Sequence, residues 1–344
     1  MPLETLFHPR RLVTLALAAV GAAAAWAVEM PLPLLLGPMF ACLFAALAGV
    51  PLKGVSPVSN AMRPVLGVAV GAALTPALFG RLGEMALSIA LIPPFILAIG
   101  LVGYSYFRRL WGFDHATSYY GAMPGGLQDM AIFGEEAGAD VRALALIHTT
   151  RVLVIVSAMP FLLTWIWGLS LSGPPGEPAS SVPLHEYAIM LVCAVTGWWG
   201  GVRLGLFGAP IIGPLIVAGA ASMAGFLHHR PPAEAMQFAQ FFLGLGIGVK
   251  YAGITVAEIR RILTASIGYC LLLAVLSVIF AEIVIQTGLA GPMEAIIAFA
   301  PGGQAEMVLL AIIAGTDIAY VVTHHLVRIL VVILGAPLAA RFLK

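Results

Sequence analysis

Two His-x-x-Arg pairs, His148 with Arg151 and His325 with Arg328, lie 177 positions apart within apolar stretches. Residues three apart on a helix share a face, so each pair presents an imidazole and a guanidinium together. An arginine at mid-bilayer costs about 2.5–3.5 kcal/mol on insertion scales and must face an acid, backbone carbonyls or a bound anion. From a helix start at Asp140, Arg151 lies roughly 16 Å in at about 1.5 Å per residue, close to that middle. Two chemistries fit the guanidinium: an ion pair with Asp129 or Glu306, or a bidentate clamp on an anion. The histidines suit a proton relay near neutral pH, although a single buried histidine is more often a hydrogen-bonded core residue.

The same offset connects other residues that are awkward in lipid. Met123-Pro124-Gly125-Gly126-Leu127-Gln128-Asp129-Met130 maps onto Ala300-Pro301-Gly302-Gly303-Gln304-Ala305-Glu306-Met307. Gly138 and Asp140 map onto Gly315 and Asp317, Gly67 and Gly71 onto Gly244 and Gly248, and Gly37-Pro38 onto Gly213-Pro214 with one residue of slippage. The C-terminal half therefore reads as a repeat of the N-terminal half. Pro124-Gly125-Gly126 and Pro301-Gly302-Gly303 put irregular backbone at membrane depth, which is tolerated only inside protein or beside a wet cavity. The arm after each break opens with unpaired N–H groups and a positive dipole end, and two such ends facing each other make an anion site. The plainer alternative is a tight turn between two short helices. Asp129 and Glu306 fall in the first turn of those arms. They either cap free N–H groups or carry a proton or cation, since a carboxyl in lipid favours its protonated form unless paired. The candidate substrate-binding set is thus Pro124, Gly125, Gly126, Asp129, His148, Arg151, Pro301, Gly302, Gly303, Glu306, His325 and Arg328. Asp140 and Asp317 read as N-caps, the paired glycines as close helix contacts, and the Gly-Pro steps as kinks.

These residues need a scaffold, and composition names its class. Hydrophobic residues make up 61% of the 344-residue chain and charged residues only 10%, against about 25% in soluble domains. Most of the exterior must face lipid, so the fold class is an all-α polytopic membrane protein. A net charge of +1 supplies no general attraction for nucleic acid. Cys42, Cys193 and Cys270 sit in apolar runs without metal-ligand spacing and read as packing residues. Arg10-Arg11 followed by an apolar run resembles a signal peptide, but the run is longer than the usual h-region and reads as an uncleaved helix.

Apolar runs suited to crossing a bilayer occur at 11–29, 32–51, 62–80, 85–107 and 141–168, then at 187–205, 208–227, 233–250, 262–285 and 318–340. The broken segments, 114–136 and 291–315, precede the last run of each half, with arms of about half a bilayer each. Charge decides whether they cross or return. With the N-terminus inside and both segments as hairpins, Arg10, Arg11, Lys53, Arg63, Arg108, Arg109, Arg142, Arg203, Lys250, Arg260, Arg261, Arg341 and Lys344 are cytoplasmic. Only Arg81 and Arg230 are then outside, a ratio of 13 to 2 that falls to 9 to 6 if both segments cross. Cytoplasmic loops are enriched in Lys and Arg, so the hairpins are preferred. Five crossings per half invert the second repeat. The predicted organisation is a first membrane repeat at 1–169, an external linker at 170–185 and a second repeat at 186–344, with both termini cytoplasmic. Inverted repeats with paired broken elements are the architecture of secondary transporters.

The paired Gly-Pro elements, Met-Pro-Gly-Gly and Ala-Pro-Gly-Gly, and the His-x-x-Arg helix closing each half together resemble the AbrB family of bacterial membrane proteins, over about residues 12–342. The resemblance implies a bacterial inner-membrane location. Names within that family conflict: regulator of gene expression, ammonia monooxygenase, or membrane protein of unknown function. The chain does not resemble the short, β-rich DNA-binding regulators of the same name, and no basic DNA-reading segment is visible. The resemblance carries over no catalytic set. Three functions were weighed. The leading one is a secondary transporter of a small anion, a carboxylate being one candidate, with proton coupling open. No phosphate-binding loop of the G-x-x-x-x-G-K-[ST] form is present for ATP-driven transport. The second is a membrane protein that regulates gene expression indirectly, by sensing a ligand or setting its level. The third, a metal-dependent monooxygenase, is disfavoured because the eight histidines do not form a 2-His-1-carboxylate set on one face. The expectation is therefore no enzyme, cofactor, metal or nucleic-acid partner. The bilayer and a small anion are the expected partners, with homo-oligomerisation left open.

Overall fold

The computed structural model describes residues 8–74, 82–206 and 208–340; Arg81, Arg341 and Lys344, which entered the charge tally, lie outside them. All regular structure among the described residues is helical. In chain order the helices are α1 (Pro9–Ala27), α2 (Pro33–Leu47), α3 (Ser56–Gly71), α4 (Leu82–Ala90), α5 (Ile92–Ser105), α6 (His115–Ala122), α7 (Leu127–Glu136) and α8 (Val141–Trp167). Then follow α9 (Leu184–Arg203), α10 (Ala209–Met223), α11 (Ala233–Gly248), α12 (Val256–Glu258), α13 (Thr264–Gln286), α14 (Pro292–Phe299), α15 (Gln304–Ala314) and α16 (Ile318–Ala340). Two π-helical turns, Tyr106–Leu110 and Ile259–Leu263, continue α5 and precede α13. Every apolar run predicted from sequence contains a helix. The breaks fall where expected, between α6 and α7 and between α14 and α15.

Among the described residues five helical stretches are long and apolar enough to cross a membrane: Pro9–Ala27, Gly83–Leu110, Val141–Trp167, Val256–Gln286 and Ile318–Ala340. The second and third helices of each half are shorter than expected, 15 or 16 residues, or roughly 23 Å at about 1.5 Å per residue. Glycines in left-handed conformation, among them Gly49 and Gly225, stop α2 and α10 early, as such residues do at helix C-termini.

The chain forms two compact units, and neither coincides with a sequence half. Among described residues the first unit takes 8–74, 159–206, 208–254 and 308–319, and the second takes 82–158, 255–307 and 320–340. The compact units thus group helices from both sides of the predicted linker at 170–185.

In the first unit glycines set the helix crossings. A Cβ on Gly21 would collide with the Gly37 carbonyl, and one on Gly197 with backbone at Gly213. Gly67 and Gly71 of α3 lie against the carbonyls of Ile211 and Leu215 on α10, while Gly244 and Gly248 of α11 lie against those of Leu35 and Met39 on α2. The two sets are the same contact with the halves exchanged, and residue numbers rise together along each pair, so α11 runs parallel to α2 and α10 parallel to α3. The close-packing role read for the Gly-x-x-x-Gly pairs is what the helices use, because lipid supplies no hydrophobic drive between them and close backbone approach must do so. The linker is stitched to this unit by Leu32 N–H to Leu171 O at 2.9 Å and Ala233 N–H to Glu177 O at 2.8 Å.

In the second unit α5 and α13 pack antiparallel. Phe95 meets Phe280 with ring centroids 5.0 Å apart, Phe107 meets Tyr269 at 4.8 Å, and the Tyr106 hydroxyl donates to Ala265 O at 3.0 Å. Beyond the helix end, Arg261 donates to Gly112 O at 3.1 Å. Numbers rise on one strand of this ladder as they fall on the other. Tyr119, Tyr120, Met123 and Met130 of the first broken segment pack with Leu144 of α8 and Val332 of α16.

Candidate functional site

A helix of eight residues ends with carbonyls that lack intrahelical partners, and both α6 and α14 are that length. The His-x-x-Arg pairs supply the missing donors. His148 Nε2 lies 3.1 Å from Tyr120 O, and His325 Nε2 lies 3.0 Å from Ile297 O. Since a carbonyl only accepts, each Nε2 carries the hydrogen. Arg151 donates from Nη1 to Met123 O at 3.0 Å and from Nη2 to Gly125 O at 2.8 Å. Arg328 donates from Nη1 to Ala300 O at 2.7 Å and from Nη2 to Gly302 O at 3.1 Å. Three hydrogen bonds therefore recur 177 positions apart, atom for atom. Charge-assisted bonds of this kind contribute about 1.5–3 kcal/mol each, and a cation at a helix C-terminus also complements the dipole. Of the partners open to the arginines, the structure uses backbone carbonyls.

Both arginines are 3% exposed. Neither makes an ion pair with Asp129 or Glu306. Two of five N–H donors are satisfied on each guanidinium, and the buried Nε of each has no partner among the described residues. In the neutral tautomer His325 Nδ1 is a bare acceptor, also buried without a partner. Gly303, in the second break, would place a Cβ 3.5 Å from Val152 Cγ1 on α8, so the second break sits beside the helix that carries Arg151.

The remaining predicted residues divide by role. Pro124, Gly125, Pro301 and Gly302 are buried, while Gly126 and Gly303 are half-buried N-caps of α7 and α15. Met130 and Met307 side chains fill the space beside Gly125 and Gly302, which a Cβ would take. Glu306 curls back so that its Oε2 occupies the space beside Gly303 that a Cβ would take. Asp129 occupies the matching position in α7, yet its Oδ2 is buried without a partner. Asp140 accepts from Ala143 N at 2.9 Å and caps α8 as expected.

Sequence reasoning did not single out Tyr269, Tyr119 or Ser88. The Tyr269 hydroxyl donates to Ala122 O, and the Tyr119 hydroxyl donates to Ala336 O at 2.7 Å. Ser88 Oγ lies 3.0 Å from His324 Nε2. None has a like residue 177 positions away, so a search guided by the repeat passes over them. Among the described residues no group of three His, Cys, Asp or Glu side chains is arranged to hold a metal ion.

The family described as "Transition state regulatory protein AbrB" matches residues 34–344, nearly the whole chain. The chain belongs to the AbrB family. Among its relatives is YhjN of Bacillus subtilis (strain 168), 28% identical over 295 residues, which cover 79% of this chain and 75% of the relative. Another, from Escherichia coli (strain K12), is named as a candidate regulator, AbrB; it is 24% identical over 329 residues, or 92% of each chain. Neither name describes an ammonia monooxygenase.

Proposed function

We propose that this AbrB-family protein is a secondary carrier of a small anion in the bacterial inner membrane, with its substrate between the two Pro-Gly-Gly breaks. One observation carries the reading: two buried guanidinium groups serve the breaks with no carboxylate ion pair among the described residues and with donors to spare. A buried positive charge without a counter-ion is costly, and a small carboxylate supplies both charge and acceptors for the Nε donors. The N-termini of α7 and α15 add partial positive charge from the other side of each break.

Proton coupling follows from the acids. Asp129 and Glu306 sit at those same N-termini and repel an anion when charged. Protonation removes that repulsion, so anion and proton enter together. His325 Nδ1 and Arg328 Nε, an acceptor and a donor one turn apart, match the two oxygens of a carboxylic acid. The reading involves no catalytic step or metal.

Helix directions support inverted repeats. If α2 and α3, joined by residues 48–55, cross in succession they run oppositely; α11, the counterpart of α3, runs with α2, so α11 and α3 then point in opposite directions. The antiparallel α5 and α13, the fourth spans of the two halves, lead independently to the same inversion. This is the arrangement in which broken elements of carriers meet near the midplane.

The test is a thermal-shift screen of small organic anions on purified protein, followed by uptake of the best hit into proteoliposomes. A stabilising carboxylate should be taken up faster with an inward proton gradient, and Arg328→Gln should abolish uptake. Uptake unchanged by Arg328→Gln in correctly inserted protein removes the guanidinium from the substrate path. A second reading, indirect regulation of gene expression by sensing a ligand or setting its level, draws its support from the name of the Escherichia coli relative. Sensing predicts ligand binding without net flux.

A further inference from the structure

The second unit carries two Arg-Arg pairs, each inside a π-helical turn. Arg108-Arg109 lie in Tyr106–Leu110 and Arg260-Arg261 in Ile259–Leu263. Such turns are rare and frequent at functional sites. The pairs are 152 residues apart in sequence, but antiparallel packing of α5 and α13 brings them to one end of the unit. Arg261 donates to Gly112 O at 3.1 Å and lies 4.8 Å over the Phe113 ring, and Arg108 donates to Phe113 O at 2.9 Å.

Span length sets the depth of that end. Gly83–Leu110 and Val256–Gln286 contain 28 and 31 residues. At about 1.5 Å per residue they reach roughly 42 and 46 Å, at least 10 Å more than the about 30 Å hydrocarbon layer. The terminal turns with the arginines therefore stand among lipid headgroups. Nearby acids are already engaged. Glu258 bonds Arg142 Nε and Thr255 N–H, each at 2.7 Å, and Asp114 accepts from Thr117 N–H at 2.8 Å. Arg109 and Arg260 are exposed, and no bond from either is made to any described residue. Exposed apolar side chains lie on the same helices, Leu110 at 73% exposure beside Arg109 and Leu271 at 65% about three turns beyond Arg260.

We propose that this face binds an anionic phospholipid, its phosphate among Arg108, Arg109, Arg260 and Arg261 and its acyl chains along α5 and α13. Arg108 and Arg261 are held by the loop at 111–113, whereas Arg109 and Arg260 are the free cations that engage the phosphate. The adjoining apolar surface selects a lipid over a free anion. The site stands whether or not the protein carries a substrate.

Full-length protein in neutral detergent is titrated with phosphatidylglycerol, phosphatidylcholine or inorganic phosphate, and bound lipid is counted by native mass spectrometry alongside thermal melts. Wild type should bind and be stabilised by phosphatidylglycerol alone. Arg109→Gln with Arg260→Gln should need about thirty-fold more, from roughly 1 kcal/mol for each basic residue near an anionic surface. Arg203→Gln, an exposed arginine of the other unit, should change nothing. Equal stabilisation by inorganic phosphate overturns the lipid as ligand. Undiminished binding by the double variant, or an equal loss with Arg203→Gln, overturns the site. If the double variant melts lower than wild type in phosphatidylcholine, the charge-preserving Arg109→Lys with Arg260→Lys decides: restored phosphatidylglycerol binding upholds the site, and persistent loss overturns it.

Discussion

At the scale of single residues, each His-x-x-Arg pair is first a cap on a half-helix. This sets an ordered expectation for variants. Arg151→Gln or Arg328→Gln leaves two carbonyls of a break without charged donors and should destabilise the protein by about 2–4 kcal/mol, read from melts in detergent. Arg328→Lys keeps the charge but loses the fork that spans both carbonyls, so it should recover ligand-induced stabilisation better than stability. A different residue governs acid stability. Glu186, at the start of α9, is 2% exposed; burial alone would raise its carboxyl. The His229 ring at 2.9 Å and the N–H groups of His229 and His228 at 2.8 and 3.1 Å outweigh burial and hold it at about 2. Because the folded value lies below the unfolded one, near 4.5, its contribution is complete above that pH and is lost as pH falls toward 2. The melting-temperature gap between wild type and Glu186→Gln should therefore shrink steadily as the solution is acidified from about pH 5 toward about pH 2. A gap independent of pH would show that the carboxylate charge contributes nothing.

Among elements, helix crossings in the first unit leave no room for a methyl group at several glycines. Gly244→Ala drives a Cβ into the Leu35 carbonyl, and overpacking of this kind costs about 1–3 kcal/mol. Gly83→Ala, with open space around it, is the matched control and should melt like wild type or higher. The two broken elements are not equals. Tyr269 adds a hydroxyl bond to Ala122 O at the end of α6, and no like residue stands at the corresponding position for α14. Tyr269→Phe should raise amide exchange around residues 119–126 and leave 297–303 unchanged. Equal change at both breaks would mean that Tyr269 acts through general packing. Legibility differed between elements for a physical reason. Apolar length and Pro-Gly-Gly placed α6, α7, α14 and α15 from local sequence alone, whereas the tyrosine tie joins residues 147 apart.

For the whole molecule, the orientation of the halves is the property on which a carrier depends. Single cysteines at Asp114 and Glu135, with Cys42, Cys193 and Cys270 replaced, should label from the same side of the membrane, since these positions flank the first broken segment. Labelling from opposite sides would make that segment a crossing helix and leave the two halves pointing the same way. The compact units add a second constraint. Each is assembled from both halves, so neither half expressed alone should fold; co-expressed halves split within 170–185 should reassociate.

Sequence by itself determined the class, the sites of the breaks, the arginines that must find a partner near them, and most helix positions to within a few residues, the third run (expected at 62–80, found as Ser56–Gly71) excepted. These follow from local quantities: apolar length, helix-breaking residues and the cost of charge in lipid. Which partner the arginines take, which glycines meet which helices, and how the halves interleave were decided only in tertiary structure. Each of these depends on groups on different helices, and hydropathy and spacing do not record where a freed carbonyl points.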